Sequence, residues 1–270
     1  APRRWIWLSL AAAGAISSGW LVGREALAGT DKARSGAGPT ISLLTQNVWE
    51  RNPNPAGLAQ AIIDTHADIV VLEELMGSGR AVAAEVSKAY PYHADCTVLS
   101  QWCSLAIFSK LPIKSWSHHE GAWRPPEWDR LGLVRATIDG GAAGDFEVIG
   151  TQLFHPDTNG AAALQASQLV AAVQDIDRKK TILAGDFNRT PWAFALRHID
   201  QRLTISRRTH GLATWPARVP GYPDVVSPAP FLPIDQVYAG TSWRVISVRR
   251  APASTSDHYG VLATLAYQPR

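Results

Sequence analysis

Two short runs constrain this chain more than any other feature. Residues 68–72 (Asp-Ile-Val-Val-Leu) and 181–184 (Thr-Ile-Leu-Ala) are strand-length, and their apolar residues do not alternate with polar ones. Successive side chains of a strand point to opposite faces, so such runs belong to strands covered on both faces. A chain that contains them has to stack layers on either side of a sheet. Each run also ends abruptly on polar residues. The first leads into Glu73-Glu74, and the second into Gly185-Asp186-Phe187-Asn188.

The surroundings agree with a layered domain. Residues 40–48 read as a strand, as do 92–94, 104–108, 234–238, 244–249 and 259–266. Residues 131–138 and 146–153 alternate around the Gly140-Gly141 turn. Helical spacing marks 55–66, 78–90 and 160–176, and Pro191 is placed to open a helix through about His198. Residues 204–233 read as a Pro- and Trp-rich loop, and His118-His119-Glu120 as an exposed one. Hydrophobic residues make up 46% of the chain and the net charge is only +3, which excludes a disordered chain. No internal repeat or second-domain linker is visible. The expectation is one α/β (α+β) domain over residues 40–270.

The N-terminus lies outside that domain. Arg3-Arg4 precede an uncharged stretch from Trp5 to Val22, and Ala26-Leu27-Ala28 ends it. This order reads as an export signal cleaved after Ala28, or as a membrane anchor through residues 5–22. Residues 29–39 read as a linker. Residues 1–28 carry Arg3, Arg4, Arg24 and Glu25, so the net charge without them falls from +3 to +1. The basic balance of the whole chain is therefore no argument for nucleic acid. Two cysteines exclude a disulfide-scaffold miniprotein and a four-cysteine zinc site. Cys96 and Cys103 flank a turn between strand-like segments, and in an oxidising compartment they are candidates for a disulfide.

Five polar sites sit at strand ends: Asn47, Glu73-Glu74, Asp186 to Asn188, Asp235 and Asp257-His258. An acid beside glycine in a turn is commonly turn chemistry, so no single site is decisive. Together they form an acid, amide and imidazole set with no serine elbow, P-loop or HExxH motif. Carboxylate and amide oxygens are hard ligands suited to Mg²⁺ or Mn²⁺. The set points to metal-assisted attack of water on phosphorus.

These residues carry a resemblance. Thr45-Gln46-Asn47-Val48 is similar to the first motif of the endonuclease/exonuclease/phosphatase superfamily, the DNase I-like fold. Residues 68–74 resemble its D-I-V-x-L-Q-E motif, with Glu73 in the Gln position. Gly185-Asp186-Phe187-Asn188 is similar to G-D-F-N, Ile234-Asp235-Gln236-Val237 to I-D-H-V, and Ser256-Asp257-His258 to the closing S-D-H. The motifs follow family order. The resemblance implies a four-layer αββα sandwich and a Mg²⁺- or Mn²⁺-dependent phosphoesterase, of phosphodiesterase or endonuclease type, and the N-terminal segment makes the expectation an exported one. It implies that Glu74 binds the metal, that Asn47 helps place metal and phosphate, and that Asp257 joins the metal shell. Asp186 would activate water, and Asn188 would hold phosphate or that water. His258 would contact phosphate, with Asp235 fixing its tautomer.

Two departures stand out. Thr151-Gln152-Leu153 replaces the family's T-H-L, with His155 three residues on as a partial substitute at the phosphate, and Gln236 replaces a common His. Gln152 leaves a second reading open, a catalytically silent phosphate-ligand-binding protein on the same scaffold. A third, a membrane-tethered structural protein, rests on residues 5–22 alone. The substrate is a phosphate ester whose carrier stays open: nucleic acid, lipid headgroup or small phosphodiester. Residues 123–128 and 215–230 are tryptophan-bearing candidates for lining the pocket or packing the sandwich edge. The chain is expected to act as a monomer, periplasmic or secreted if the leader is cut, membrane-anchored if it is not.

Overall fold

A computed structural model describes residues 2–34, 38–100, 103–120, 123–124, 127–128, 131–156, 161–219, 222–252 and 255–269. Helix α1 (Pro2–Leu27) is followed by β1 (Thr40–Asn47), α2 (Pro55–Asp64), β2 (Ile69–Glu73), α3 (Gly79–Ala89), β3 (Tyr92–Asp95), β4 (Ala106–Ser109) and β5 (Ile113–Glu120). Next come β6 (Trp123–Arg124), β7 (Glu127–Trp128), β8 (Gly132–Asp139), β9 (Asp145–Gln152), α4 (Ala161–Ala172) and β10 (Ile182–Asp186). The chain closes with α5 (Phe194–Arg202), β11 (Ser206–Arg207), β12 (Arg218–Val219), β13 (Tyr222–Val226), β14 (Asp235–Ala239), β15 (Trp243–Arg250) and β16 (Val261–Tyr267).

The strands form two six-stranded mixed sheets, ordered β15-β16-β1-β2-β4-β3 and β11-β14-β10-β9-β8-β5, with two small ribbons, β6-β7 and β12-β13. The apolar runs dictate the layering. In β2, Ile69 and Val71 enter the core between the sheets. Val70 and Leu72 face the other way, against Leu58 and Ile62 of α2 and Val82 and Val86 of α3. In β10, Ile182 and Ala184 join the inter-sheet core, while Leu183 packs on Leu169 of α4 and Leu196 of α5. Two unalternating strands thus become the centres of a four-layer αββα sandwich.

The two sheets are built alike where it matters for the site. Strand β1 pairs parallel with β2, placing Asn47 opposite Glu73, and antiparallel with β16. Strand β10 pairs parallel with β9, placing Asp186 opposite Gln152, and antiparallel with β14, placing Asp186 opposite Asp235. Strand β16 starts with Val261 opposite Thr45, so His258 falls at the same end of β1 as Asn47. The central strands of both sheets therefore bring their polar ends to one pole.

Several expectations need correction. His118 and His119 lie in β5, opposite Val134 and Leu133, and not in a loop. The helix after Pro191 begins only at Phe194, because Ala193 is extended and its amide closes a turn onto Thr190. Residues 204–233 contain β11, β12 and β13. The side chains of residues 123–128 lie outside the described residues, so their part in a pocket does too.

Cys96 and Cys103 are joined in a disulfide with a Cα–Cα distance of 5.7 Å, buried at the inter-sheet core. The side chains of α1 from Arg4 to Trp20 are exposed, Trp5 at 72% and Trp20 at 69%. The stretch read as a linker is tied down in part: Lys32 bridges in parallel to Val245, alongside β15.

Candidate functional site

The pole of the sandwich is where each apolar strand runs out. Gly185 lets β10 approach β9 closely. A Cβ there would stand 1.8 Å from the Thr151 carbonyl oxygen, which no side chain survives. The strand can thus deliver Asp186 to the rim beside Gln152. Beyond the strand ends the backbone takes unusual turns. Trp49 (φ 60°), Glu74 (φ 61°) and Asn188 (φ 49°) all lie in the left-handed region. Non-glycine residues rarely adopt it, and such positions concentrate at functional sites.

A continuous hydrogen-bond network links the two sheets. The Asn47 amide donates from Nδ2 to Glu74 Oε1 at 2.8 Å and to Asp186 Oδ2 at 3.0 Å. Its Oδ1 accepts from the Trp49 amide at 2.8 Å. Gln152 Nε2 donates to Glu74 Oε1 at 3.1 Å, and the Glu50 amide donates to Glu74 Oε2 at 3.1 Å. Asn188 donates its backbone N–H to Asp186 Oδ1 at 2.8 Å and its Nδ2 to Asp186 Oδ2 at 2.9 Å. Ser256 Oγ donates to the Asn47 carbonyl at 2.7 Å and accepts from the His258 amide at 3.1 Å, fixing the final motif against β1.

His258 is buried between two acids. Its Nδ1 faces Asp235 at 3.0 and 3.2 Å, and its Nε2 lies 4.0 Å from Asp186 Oδ2. Oxygen and nitrogen atoms of Asp186, Asp235 and His258 fall within 4.8 Å of one another, the one such cluster among the described residues. Burial works to lower the His258 pKa. The charges of Asp235 and Asp186 outweigh it and hold the imidazole well above its ordinary value, and therefore protonated. Asp186 is pushed up to about 7 by burial, against the pull of His258 and with the help of Asp235.

Glu73 behaves differently. It is fully buried, with Thr45 Oγ1 donating to Oε1 at 2.5 Å, and burial lifts its carboxyl well above the usual range. A neutral carboxylic acid offers one donor and one acceptor, much as a carboxamide does. Burial thus favours the protonated form of the Glu in the Gln position. Asp257 is also raised by burial. Trp215 hydrogen-bonds its carboxylate, and its Oδ1 is buried with no hydrogen-bond partner among the described residues.

The structure therefore brings together Asn47, Glu74, Gln152, Asp186, Asn188, Asp235, Asp257 and His258. It does not bring in His155, which is exposed on the segment after β9. Cys96 and Cys103 lie in the core and away from the pole. Sequence reasoning missed Ser256 as the tie between β1 and the last motif, and Trp215 as the partner of Asp257. The tryptophan-bearing loop was the only signal for the latter.

The sequence matches the model of the Endonuclease/Exonuclease/phosphatase family over residues 44–258. A comparison with curated proteins finds no match. Among solved structures, an endonuclease/exonuclease/phosphatase from Beutenbergia cavernae superposes with a TM-score of 0.65 at 18% identity, covering 85% of this chain and 72% of that one. Beta toxin from Staphylococcus aureus, solved with bound magnesium ions, gives a TM-score of 0.61 at 19% identity, covering 85% and 99%. Sphingomyelinase C from Streptomyces griseocarneus gives 0.62 at 18% identity, covering 84% and 99%. At these identities the likeness to solved structures is a likeness of fold.

Proposed function

The chain belongs to the endonuclease/exonuclease/phosphatase family, whose members hydrolyse phosphoric esters, and from that premise we propose an exported, divalent-metal-dependent hydrolase of phosphodiesters. The observation that carries the reading is the convergence of Glu74, Asp186, Asn188, Asp235 and His258 at one pole, with the imidazole held between two acids.

The donor set suits a hard cation. Glu74 and Asp257 offer carboxylate oxygens, which Asn47 helps to place through its Nδ2 on Glu74, and the unpartnered Asp257 Oδ1 is a buried oxygen in want of a positive partner. Glu74, with Asp257 and Asn47 beside it, would hold Mg²⁺ or Mn²⁺, as the magnesium-bearing beta toxin structure suggests for this fold. When bound, such an ion supplies positive charge to the phosphate oxygens.

The chain's own residues supply the rest. Asp186, with a pKa near neutrality, is suited to accept a proton from the attacking water. Asn188 holds Asp186 in place by two hydrogen bonds. Asp235 occupies Nδ1 of His258, which directs Nε2 and its proton toward the substrate side, where charge gathers on phosphate oxygens. Gln152 stands where the family has His and keeps a donor on Glu74. The Cys96–Cys103 disulfide fits an oxidising compartment, and the exposed apolar α1 fits export. The near-neutral charge of residues 29–270 favours a lipid headgroup or small phosphodiester over a long polyanion.

The purified chain is expected to hydrolyse a chromogenic phosphodiester with Mg²⁺ and to stop when a chelator is added. Asp186→Ala and His258→Ala are each expected to lower kcat by roughly 10²–10⁴-fold. Undiminished activity in either variant would rule out the mechanism. Rates on plasmid DNA, sphingomyelin vesicles and inositol phosphates then sort the substrate class.

A further inference from the structure

The last turn of α1 is built into the catalytic domain. Trp5 to Val22 carry no charge and, at about 1.5 Å per residue, extend roughly 27 Å, close to the thickness of a bilayer core. The candidate span shows no burial against the domain. Three residues on, Glu25 turns inward and is buried. Its carboxylate pairs with both terminal nitrogens of Arg207, the Nη2 contact at 3.0 Å. It also lies 3.3 Å from His210 Nδ1 and accepts from the Gly211 amide at 3.3 Å. The Arg207 side chain is 6% exposed, and its other acidic partner is Asp200 at 3.1 Å.

The chain after α1 continues this attachment. The Val245 amide donates to the Asp31 carbonyl at 2.7 Å, and the Ala33 amide donates back to the Val245 carbonyl at 2.8 Å. The Asp31 carboxylate lies 3.4 Å from Arg208 Nη1 and from Arg244 Nη1. Glu25 thus engages β11 of one sheet while residues 31–33 run along β15 of the other. Both are edge strands. Cutting the chain after Ala28 would remove Glu25 and leave a buried guanidinium with Asp200 as its remaining acid. A buried charge stripped of a partner is strongly destabilising.

We infer that α1 is a permanent part of the folded protein, a membrane anchor latched to the sandwich edge by Glu25, and not a leader removed after Ala28. The inference rests on reading α1 as a bilayer segment and is independent of the hydrolytic activity. It is tested with the full chain, expressed in a bacterium and carrying a C-terminal tag. The intact mass of the membrane-extracted protein is expected to include residues 1–28, and the protein to resist alkaline carbonate extraction. A mature chain beginning at Gly29 overturns the latch. A chain that keeps its N-terminus but washes off in carbonate overturns the membrane reading, while proteolysis still reads the latch. In detergent, trypsin is expected to cleave after Lys32 at least tenfold faster in Glu25→Gln than in the wild type, and an unchanged rate overturns the proposal. Should Glu25→Gln fail to fold, Arg207→Lys, which keeps the charge and loses the two-pronged geometry, is expected to show the same acceleration.

Discussion

Asp186 and Glu73 occupy fully buried positions at one pole, and neither has a cation of its own beyond the shared His258. Both carboxyls bind protons more tightly in the folded chain than in the unfolded one. The stability from that binding is complete below the ordinary carboxylate range. For Asp186 it is lost as pH rises from about 4 through about 7. Above that range the metal-free pole holds carboxylate charge that only a cation relieves. Mg²⁺ is therefore expected to raise Tm more at pH 8 than at pH 5.5, measured by thermal unfolding with and without chelator. An equal gain at both pH values would remove the pole as the metal site. At this scale the sequence was informative about residue types. Asn47, Glu74, Asp186, Asn188, Asp235 and His258 were all legible as polar residues at strand ends. The upward shift of the Glu73 carboxyl was not, because it arises from complete burial, and burial is a property of the packed molecule.

Among the elements, β10 shows most directly how local sequence positions the site. It needs apolar residues on both faces, and it needs no side chain at Gly185, where the Thr151 carbonyl of β9 closes in. Gly185→Ala is expected to cost on the order of 3 kcal/mol and to lower activity as well, since relief of the clash has to move Asp186. Denaturant unfolding and a rate assay check this, and a loss under about 0.5 kcal/mol would refute the close approach. Elements with strong periodicity, such as α2, β8 and β9, and the unbroken apolar run of β2 were readable from the sequence. Those decided by pairing partners were not. Strand β5 gains its extended form from β8, and β11 from β14, neither of them near in sequence order to its own turn signals. At α5, the turn from Thr190 to Ala193 overrode the preference of Pro191 for a first helical turn.

For the whole molecule, three apolar layers hold two sheets in register, so that motifs from residues 44–258 meet at one end. The Cys96–Cys103 disulfide closes a short loop at the inter-sheet core, with a sequence separation of 7. Removing it with Cys96→Ser and Cys103→Ser is expected to cost about 2–3 kcal/mol and to lower Tm by roughly 5–10 °C, with the active pole unchanged. A scan showing a shift below about 1 °C would mean that the bond contributes nothing to the fold. The latch at Glu25 belongs to this scale as well: Glu25 joins α1 to Arg207, about 180 positions away in one sheet, and Asp31, just after α1, reaches Arg244, about 210 positions away in the other.

The sequence by itself determined the layered class of the domain and the chemical identity of its site, because side-chain period and residue type are local properties. It also marked an apolar N-terminal segment of membrane-spanning length. Only the tertiary structure decided which carboxyls burial pushes up, which imidazole nitrogen faces Asp235 and which Asp186, and that Glu25 is a partner of Arg207. Each of these depends on how much water is excluded and on which distant charge lies within a few ångströms. Packing sets both, and no single segment of the chain encodes them.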